Sequence, residues 1–133
     1  MAYPEAWLAS TLEAAAGCAA YPVMGRENAP TPYVVFYRDS TSDDLTLDQT
    51  FGSVGITTAT FAIEIHADGY LEAKGIAAAI RAAVRNFTGD VNGLKIIKAT
   101  ADQDRDGVPV VLDGRDTPTY TIDQVFSISW TTL

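Results

Sequence analysis

Apolar residues recur at spacings of three and four in two stretches of the chain and at a spacing of two in two others, which predicts two helices and two half-covered strands. The first helical stripe is Leu8, Leu12, Ala15, Ala16 and Ala19. Pro4 suits a first turn, Glu5 sits near the positive end of the helix dipole, and Gly17 suits a stop, so a short Ala-rich helix is expected over roughly Pro4 to Ala16. Trp7 stands beside the stripe, where it either closes the core or faces a neighbour. The second stripe, Ala73, Ile76, Ala77, Ile80, Ala83, Val84 and Phe87, runs for four turns. Asp68 is its expected N-cap, with the helix starting at Gly69 or Tyr70 and running to Phe87.

The alternating stretches read as strands with one covered face. In Thr57 to His66, Phe61, Ile63 and Ile65 share one side, and Thr60, Ala62, Glu64 and His66 share the other. In the last strand, Tyr120, Ile122, Phe126, Ile128 and Trp130 oppose Thr121, Asp123, Ser127, Ser129 and Thr131. Gln124 interrupts that apolar row and marks either a bulge or a pocketed polar contact. Tyr33 to Arg38 is apolar on both sides, which predicts a central place in the sheet. Leu94 to Thr100 is a further strand, after a loop over 88–93. From Ala19 to Pro32 the prolines forbid a helix and leave an extended connector with room for a short strand at Tyr21 to Val23. The expected fold is α+β: an antiparallel or mixed sheet of four to six strands packed by two helices, one domain over residues 1–133, with a long loop or hairpin arm over about 39–53.

That arm is the least generic segment. A polar loop of this length on a compact domain is usually there to touch something, and Leu45, Leu47 and Phe51 within it are costly in water unless covered. Asp43, Asp44 and Asp48 are expected to be solvated.

Composition narrows the class. With 133 residues, 47% hydrophobic, the chain is long enough to bury a substantial core. The net charge of -8, from 17 acidic against 9 basic residues, disfavours a conventional nucleic-acid-binding module. A lone cysteine, Cys18, forms no internal disulfide, so a reducing compartment suffices and Cys18 is expected as a small buried apolar residue. No apolar run approaches the roughly 20 residues of a membrane span, and Met1-Ala-Tyr-Pro-Glu5 lacks the basic start of a signal peptide; a soluble, unprocessed protein is expected.

Motifs for chemistry are sparse. The chain holds no Gly-x-Ser-x-Gly, no phosphate-binding glycine loop and no histidine pair at metal spacing, so no enzyme is expected and no catalytic, cofactor or metal residue is assigned. The only histidine, His66, is expected as a solvent-facing or capping imidazole. Asp102-Gln-Asp-Arg-Asp-Gly107 matches the opening of a calcium loop. However, the twelfth position is Asp113 rather than glutamate, the eighth is Pro109, and the flanks read as strands. An acidic hairpin whose Asp and Gly serve turn conformations is the simpler reading. A non-helical calcium loop on Asp102, Asp104, Asp106 and Asp113 is the alternative. Lys74, Arg81 and Arg85 form a basic stripe on the second helix, either solvated or set to meet an acidic surface of another subunit.

Three stretches carry a resemblance: Ala29-Pro-Thr-Pro-Tyr-Val-Val-Phe-Tyr-Arg38, Gly52 ahead of the strand Phe61-Ala-Ile-Glu-Ile-His66, and Tyr70-Leu-Glu-Ala-Lys74 opening an Ala-rich helix. In this order they resemble the tail completion or tail terminator family of long-tailed phages, over roughly Leu8 to Ile128. The resemblance implies an α+β virion protein, assembled in the host cytoplasm, that forms a ring, usually of six copies, on the end of the tail tube. Such a ring stops tube polymerisation and joins the head connector. The implied partners are further copies of the chain, the tail tube protein and a connector or stopper protein, with DNA passing through the lumen unbound and no membrane involved. No catalytic residue is carried over. A head-tail stopper or minor tail protein is the neighbouring reading, and a small calcium-binding domain is the one from another class. Ring contacts join two different patches of each subunit, and the 39–53 arm is the expected one to reach a neighbour or the tube.

Overall fold

The computed structural model describes residues 3–22, 31–44, 55–91, 93–107, 110–111 and 118–132. Along the chain run α1 (Pro4–Ala16), β1 (Ala19–Pro22), β2 (Tyr33–Asp44), β3 (Ile56–Ala67), α2 (Tyr70–Val84), β4 (Gly89–Val91), β5 (Leu94–Asp106), β6 (Val110–Val111) and β7 (Pro118–Thr132). Six strands lie side by side in the order β1-β2-β3-β7-β5-β4, and the short β6 pairs with the beginning of β7. β1 runs parallel to β2 and the other pairs are antiparallel, so the fold is α+β with a mixed sheet.

α1 has its expected bounds. Gly17 takes the left-handed conformation (φ 70°) and its N–H donates to the Glu13 carbonyl at 2.9 Å, which a residue with a Cβ would do under strain. Its covered face is Pro4, Trp7, Leu8 and Leu12, while Ala15 and Ala16 lie at the margin. Trp7 closes the core: its ring lies 4.8 Å from that of Phe87.

α2 differs from expectation at both ends. Its N-cap is Gly69, not Asp68, and no side chain caps it. It also ends at Val84 instead of Phe87, because Arg85 turns extended and Asn86 takes a left-handed φ of 63°. Asparagine tolerates that region better than most residues, and the Asn86 N–H then donates to the Ala99 carbonyl at 2.8 Å. This exit carries Phe87 off the helical stripe and onto Trp7. The remaining stripe, Ala73, Ile76, Ala77, Ile80 and Val84, packs on the sheet.

The strands outrun their hydrophobic signal. β2 continues past Arg38 to Asp44 and pairs with β3 as far as Ile56, with a register shift between Arg38 and Ser40. The first six residues of the expected loop, Asp39 to Asp44, are therefore strand; Leu45, Leu47, Asp48, Phe51 and Ser53 lie outside the described residues. The bulge lets a polar run of Ser and Thr stay in the ladder opposite Thr57, Thr58 and Thr60, where no apolar alternation betrays it. β1 begins at Ala19, two residues earlier than the expected Tyr21, and pairs with β2 from Tyr33 onward. β4 occupies part of the expected 88–93 loop. β5 extends past Thr100 to Asp106 with register shifts at Ile96/Lys98 and Ala101/Gln103, so the expected acidic hairpin at Asp102–Asp106 is strand.

One face of the sheet carries the core. Ala59, Phe61, Ile63, Ile65 and Ala67 from β3, Ile122, Phe126 and Ile128 from β7, and Leu94, Ile96 and Ala99 from β5 are buried beneath the helices. At roughly 1.5–3 kcal/mol for each large apolar side chain fully buried, this face dominates the stability of the fold.

Candidate functional site

The two bulges of β5 decide where its acidic residues point. Asp104 and Asp106 pair in register with Gln124 and Ile122, residues of the helix-covered face, so their carboxylates reach α2. Lys74 Nζ and the Tyr70 hydroxyl donate to Asp106 at 2.7 Å each, and Arg81 donates to Asp104 at 3.2 Å. Lys74 and Arg81 of the basic stripe thus meet acids of their own chain, in ion pairs that stay largely open to solvent, as the solvated reading of this face has it. The hydrogen bonds from Lys74 and Tyr70 hold the Asp106 carboxyl below its ordinary range, and the bond to Asp106 raises Lys74. Arg85 remains exposed at the end of the helix.

Asp102, at the second bulge, turns to the opposite face. The Thr100 hydroxyl donates to its carboxylate at 3.0 Å, and the Ser127 hydroxyl is bonded to the other oxygen. A calcium ion needs six to eight oxygens converging on one point. Here Asp102 diverges from Asp104 and Asp106, and Asp113 lies outside the described residues. Among the described residues no group of three or more acidic, His or Cys side chains could hold a metal. The calcium alternative has no geometric support.

Gln124 is fully buried under α2, and its Nε2 donates to the carbonyl of Ala77 at 2.9 Å. It is the pocketed polar contact; the register shifts fall on β2 and β5. Among the described residues its Oε1 and the Thr119 hydroxyl have no hydrogen-bond partner. Arg38 ties β2 to α1: its guanidinium pairs with Glu5, with Nε at 2.9 Å, and lies 5.2 Å from the Trp130 ring and 5.6 Å from the Phe61 ring. Sequence reasoning passed over Arg38, although an arginine ending an apolar strand run was the available signal. Cys18 is half-buried rather than buried, and desolvation together with Glu72 and Glu13 pushes its thiol up, away from reactivity.

The other face of the sheet has no helix over it among the described residues. It is paved with small side chains, Thr58, Thr60, Ser127, Ser129 and Thr100, with the Thr58 and Ser129 hydroxyls 2.8 Å apart. Toward one end lies a depression of about 330 Å³ with Ala62, Val125 and Tyr37 in its lining and Asp39, Glu64, Asp123 and Arg105 around them. Glu64 and Asp123 stand directly opposite on neighbouring strands, an unfavourable pairing of like charges. Arg105 approaches Asp123 at 3.7 Å. His66 stacks on Tyr33, rings 4.6 Å apart and 11° from parallel, and lies 3.9 Å from Glu64. It is neither capping nor freely solvated; burial lowers its pKa despite Glu64 and Asp123.

The family profile of the tail completion protein gp17 matches residues 6–126. The chain belongs to this family. This tail completion protein also shares its fold with solved structures. A chain in "Virion of native gene transfer agent (GTA) particle" is 18% identical, with a TM-score of 0.57, covering 93% of this chain and 84% of that one. A second solved chain is 16% identical with a TM-score of 0.58, covering 97% and 89%. No curated protein matches the sequence. Family membership makes the protein a structural component of a phage tail, and its family is structural, not enzymatic.

Proposed function

We propose that this tail completion protein caps the tail tube as a ring of six copies, ends tube polymerisation and offers the surface on which the head connector or stopper is joined. The observation that carries this reading is the family match over residues 6–126. It is supported by a six-strand sheet with helices on one face only among the described residues, because an uncovered face on a virion component is available for a neighbour. Its partners are further copies of itself, the tail tube protein and the connector. A six-copy ring carries a formal charge of 6 × -8 = -48. Acidic side chains lining its lumen would repel the phosphate backbone and let DNA pass without specific binding.

Electron microscopy of tail tubes assembled with and without the protein tests the reading. Tubes of defined length with a ring at one end are expected when it is present. Tubes of uncontrolled length in both samples would refute it, and controlled tubes that fail to join heads only in its absence would make it a stopper instead. Deleting residues 45–50, which leaves β2 whole, tests the arm: a folded subunit that no longer caps tubes is expected, and retained capping would remove the arm from the contact.

A further inference from the structure

The uncovered face distributes its charge unevenly. At the depression, three carboxylates (Asp39, Glu64 and Asp123) gather around a single guanidinium, Arg105, which is 70% exposed and already spent on Asp123. Lys95 and Lys98 stand on the same face of β5, in register with Thr131 and Ser129. Both are exposed, and neither forms an ion pair among the described residues. Asp90 stands opposite Lys95 on β4 without an ion pair between them, and Ser129 and Asp123 are separated by six residues of β7, about 20 Å of strand, so the lysines cannot reach Asp39, Glu64 or Asp123 of their own chain.

We infer that the Lys95 and Lys98 end of one copy docks on the Asp39, Glu64 and Asp123 depression of the next copy. This contact rests on the ring reading and names the two patches it requires. The patches differ and lie apart on the subunit, and in a ring each copy gives its lysine end to one neighbour and its depression to the other, a heterologous contact. A lysine fits the depression: its aliphatic stem lies along Ala62 and Val125 while its ammonium meets the carboxylates. It also relieves the opposed Glu64 and Asp123, a pair that is unfavourable in the isolated subunit. A charge-matched contact of this kind weakens as salt rises.

Charge swapping tests it. Sedimentation of the wild type is compared with Lys95→Glu/Lys98→Glu, with Glu64→Lys/Asp123→Lys and with the four-fold variant, at low and high salt, after thermal melting has shown each to be folded; Glu64→Gln/Asp123→Asn replaces any acidic-patch variant that is not. Association of the wild type that falls with salt, weakens at least tenfold in each double variant and returns in the four-fold one is expected. A wild type that stays monomeric at low salt, or a four-fold variant that fails to recover, overturns the contact. Tube-length assays on the same proteins separate this inference from the function. A wild type that limits tube length while the double variants do so equally well overturns the contact and leaves capping intact. A wild type that associates as expected but leaves tube length uncontrolled overturns capping and leaves the contact. If the depression instead receives the tube protein, the acidic-patch variant fails on tubes and the four-fold variant is not rescued, which also overturns the contact.

Discussion

The two faces of one sheet are built from the same strands yet serve different ends. On the helix side, Phe61, Ile63, Ile65, Ile122, Phe126 and Ile128 are all but completely buried, and even the one polar residue among them, Gln124, is tied to a helix carbonyl. On the other side, the alternate residues of those strands are Thr, Ser, Ala, Glu and Asp with Val125 and His66, mostly small or charged, with no helix over them among the described residues. Because side chains alternate at a period of two, a single strand writes both programmes at once. Stability lives in one register and, on the function proposed above, contact surface in the other, so substitutions one residue apart should separate them.

Phe61 and Thr60 provide the sharpest test. Phe61→Ala should cost about 3–5 kcal/mol in chemical denaturation, since the side chain is fully buried and its neighbours can collapse only in part. Thr60→Val keeps the β-branched shape on the uncovered face and should stay within about 0.5 kcal/mol. A large loss at Thr60 would break the comparison and mean that the face is covered within the subunit.

Gln124 sharpens the comparison at a smaller scale, because it is the polar exception on the stable side. Its Nε2 makes a bond but its Oε1 is buried without a partner, and an orphaned acceptor costs about as much as a good hydrogen bond returns. Gln124→Leu should therefore leave stability within about 1 kcal/mol of wild type, whereas Gln124→Ala opens a cavity and should lose about 2 kcal/mol or more. If the leucine variant loses as much as the alanine one, the Gln124 bond to Ala77 is a larger contributor than its geometry implies.

How much of this was legible in the sequence follows from the same two registers. The buried stripes of α1, α2, β3 and β7 were readable because apolar periodicity is the signal of a covered face. Where a strand runs on in polar residues, as β2 does from Asp39 to Asp44 and β5 from Ala101 to Asp106, there is no alternation to read, and both segments looked like loops. Bulges compound this: the shift at Ala101/Gln103 sends Asp102 and Asp104 to opposite faces, so an acidic run that resembles a metal loop is split between a hydroxyl network and an ion-pair ladder. The partners of Lys74 and Arg81 were hidden for the same reason, since 32 and 23 residues of chain, respectively, separate cation from acid. The depression could not be found from sequence, because Asp39, Glu64, Arg105 and Asp123 converge only through the strand order.

The smallest expected effect is a dependence on pH at the edge between the two faces. His66 sits on the uncovered side, stacked on Tyr33, with Glu64 beside it on β3 and Asp123 near it on β7. Burial lowers its pKa below the ordinary 6.5, so the folded protein binds a proton there less readily than the unfolded chain does. The contribution of His66 is therefore complete above about pH 6.5 and is lost progressively as pH falls below it, until the folded form is protonated as well. Asp106, whose pKa is lowered from 3.8, acts in a separate window: its contribution is present above that value and disappears as pH drops further. His66→Phe preserves the stacked ring without a titrating group. Melting temperatures of the two proteins should run parallel above neutrality, and the wild type should fall relative to the variant as pH drops below 6.5. Curves that remain parallel throughout would mean the carboxylates of Glu64 and Asp123 offset the burial of His66 completely, and a wild type that gains on the variant in acid would mean they outweigh it, making the uncovered face a source of stability after all.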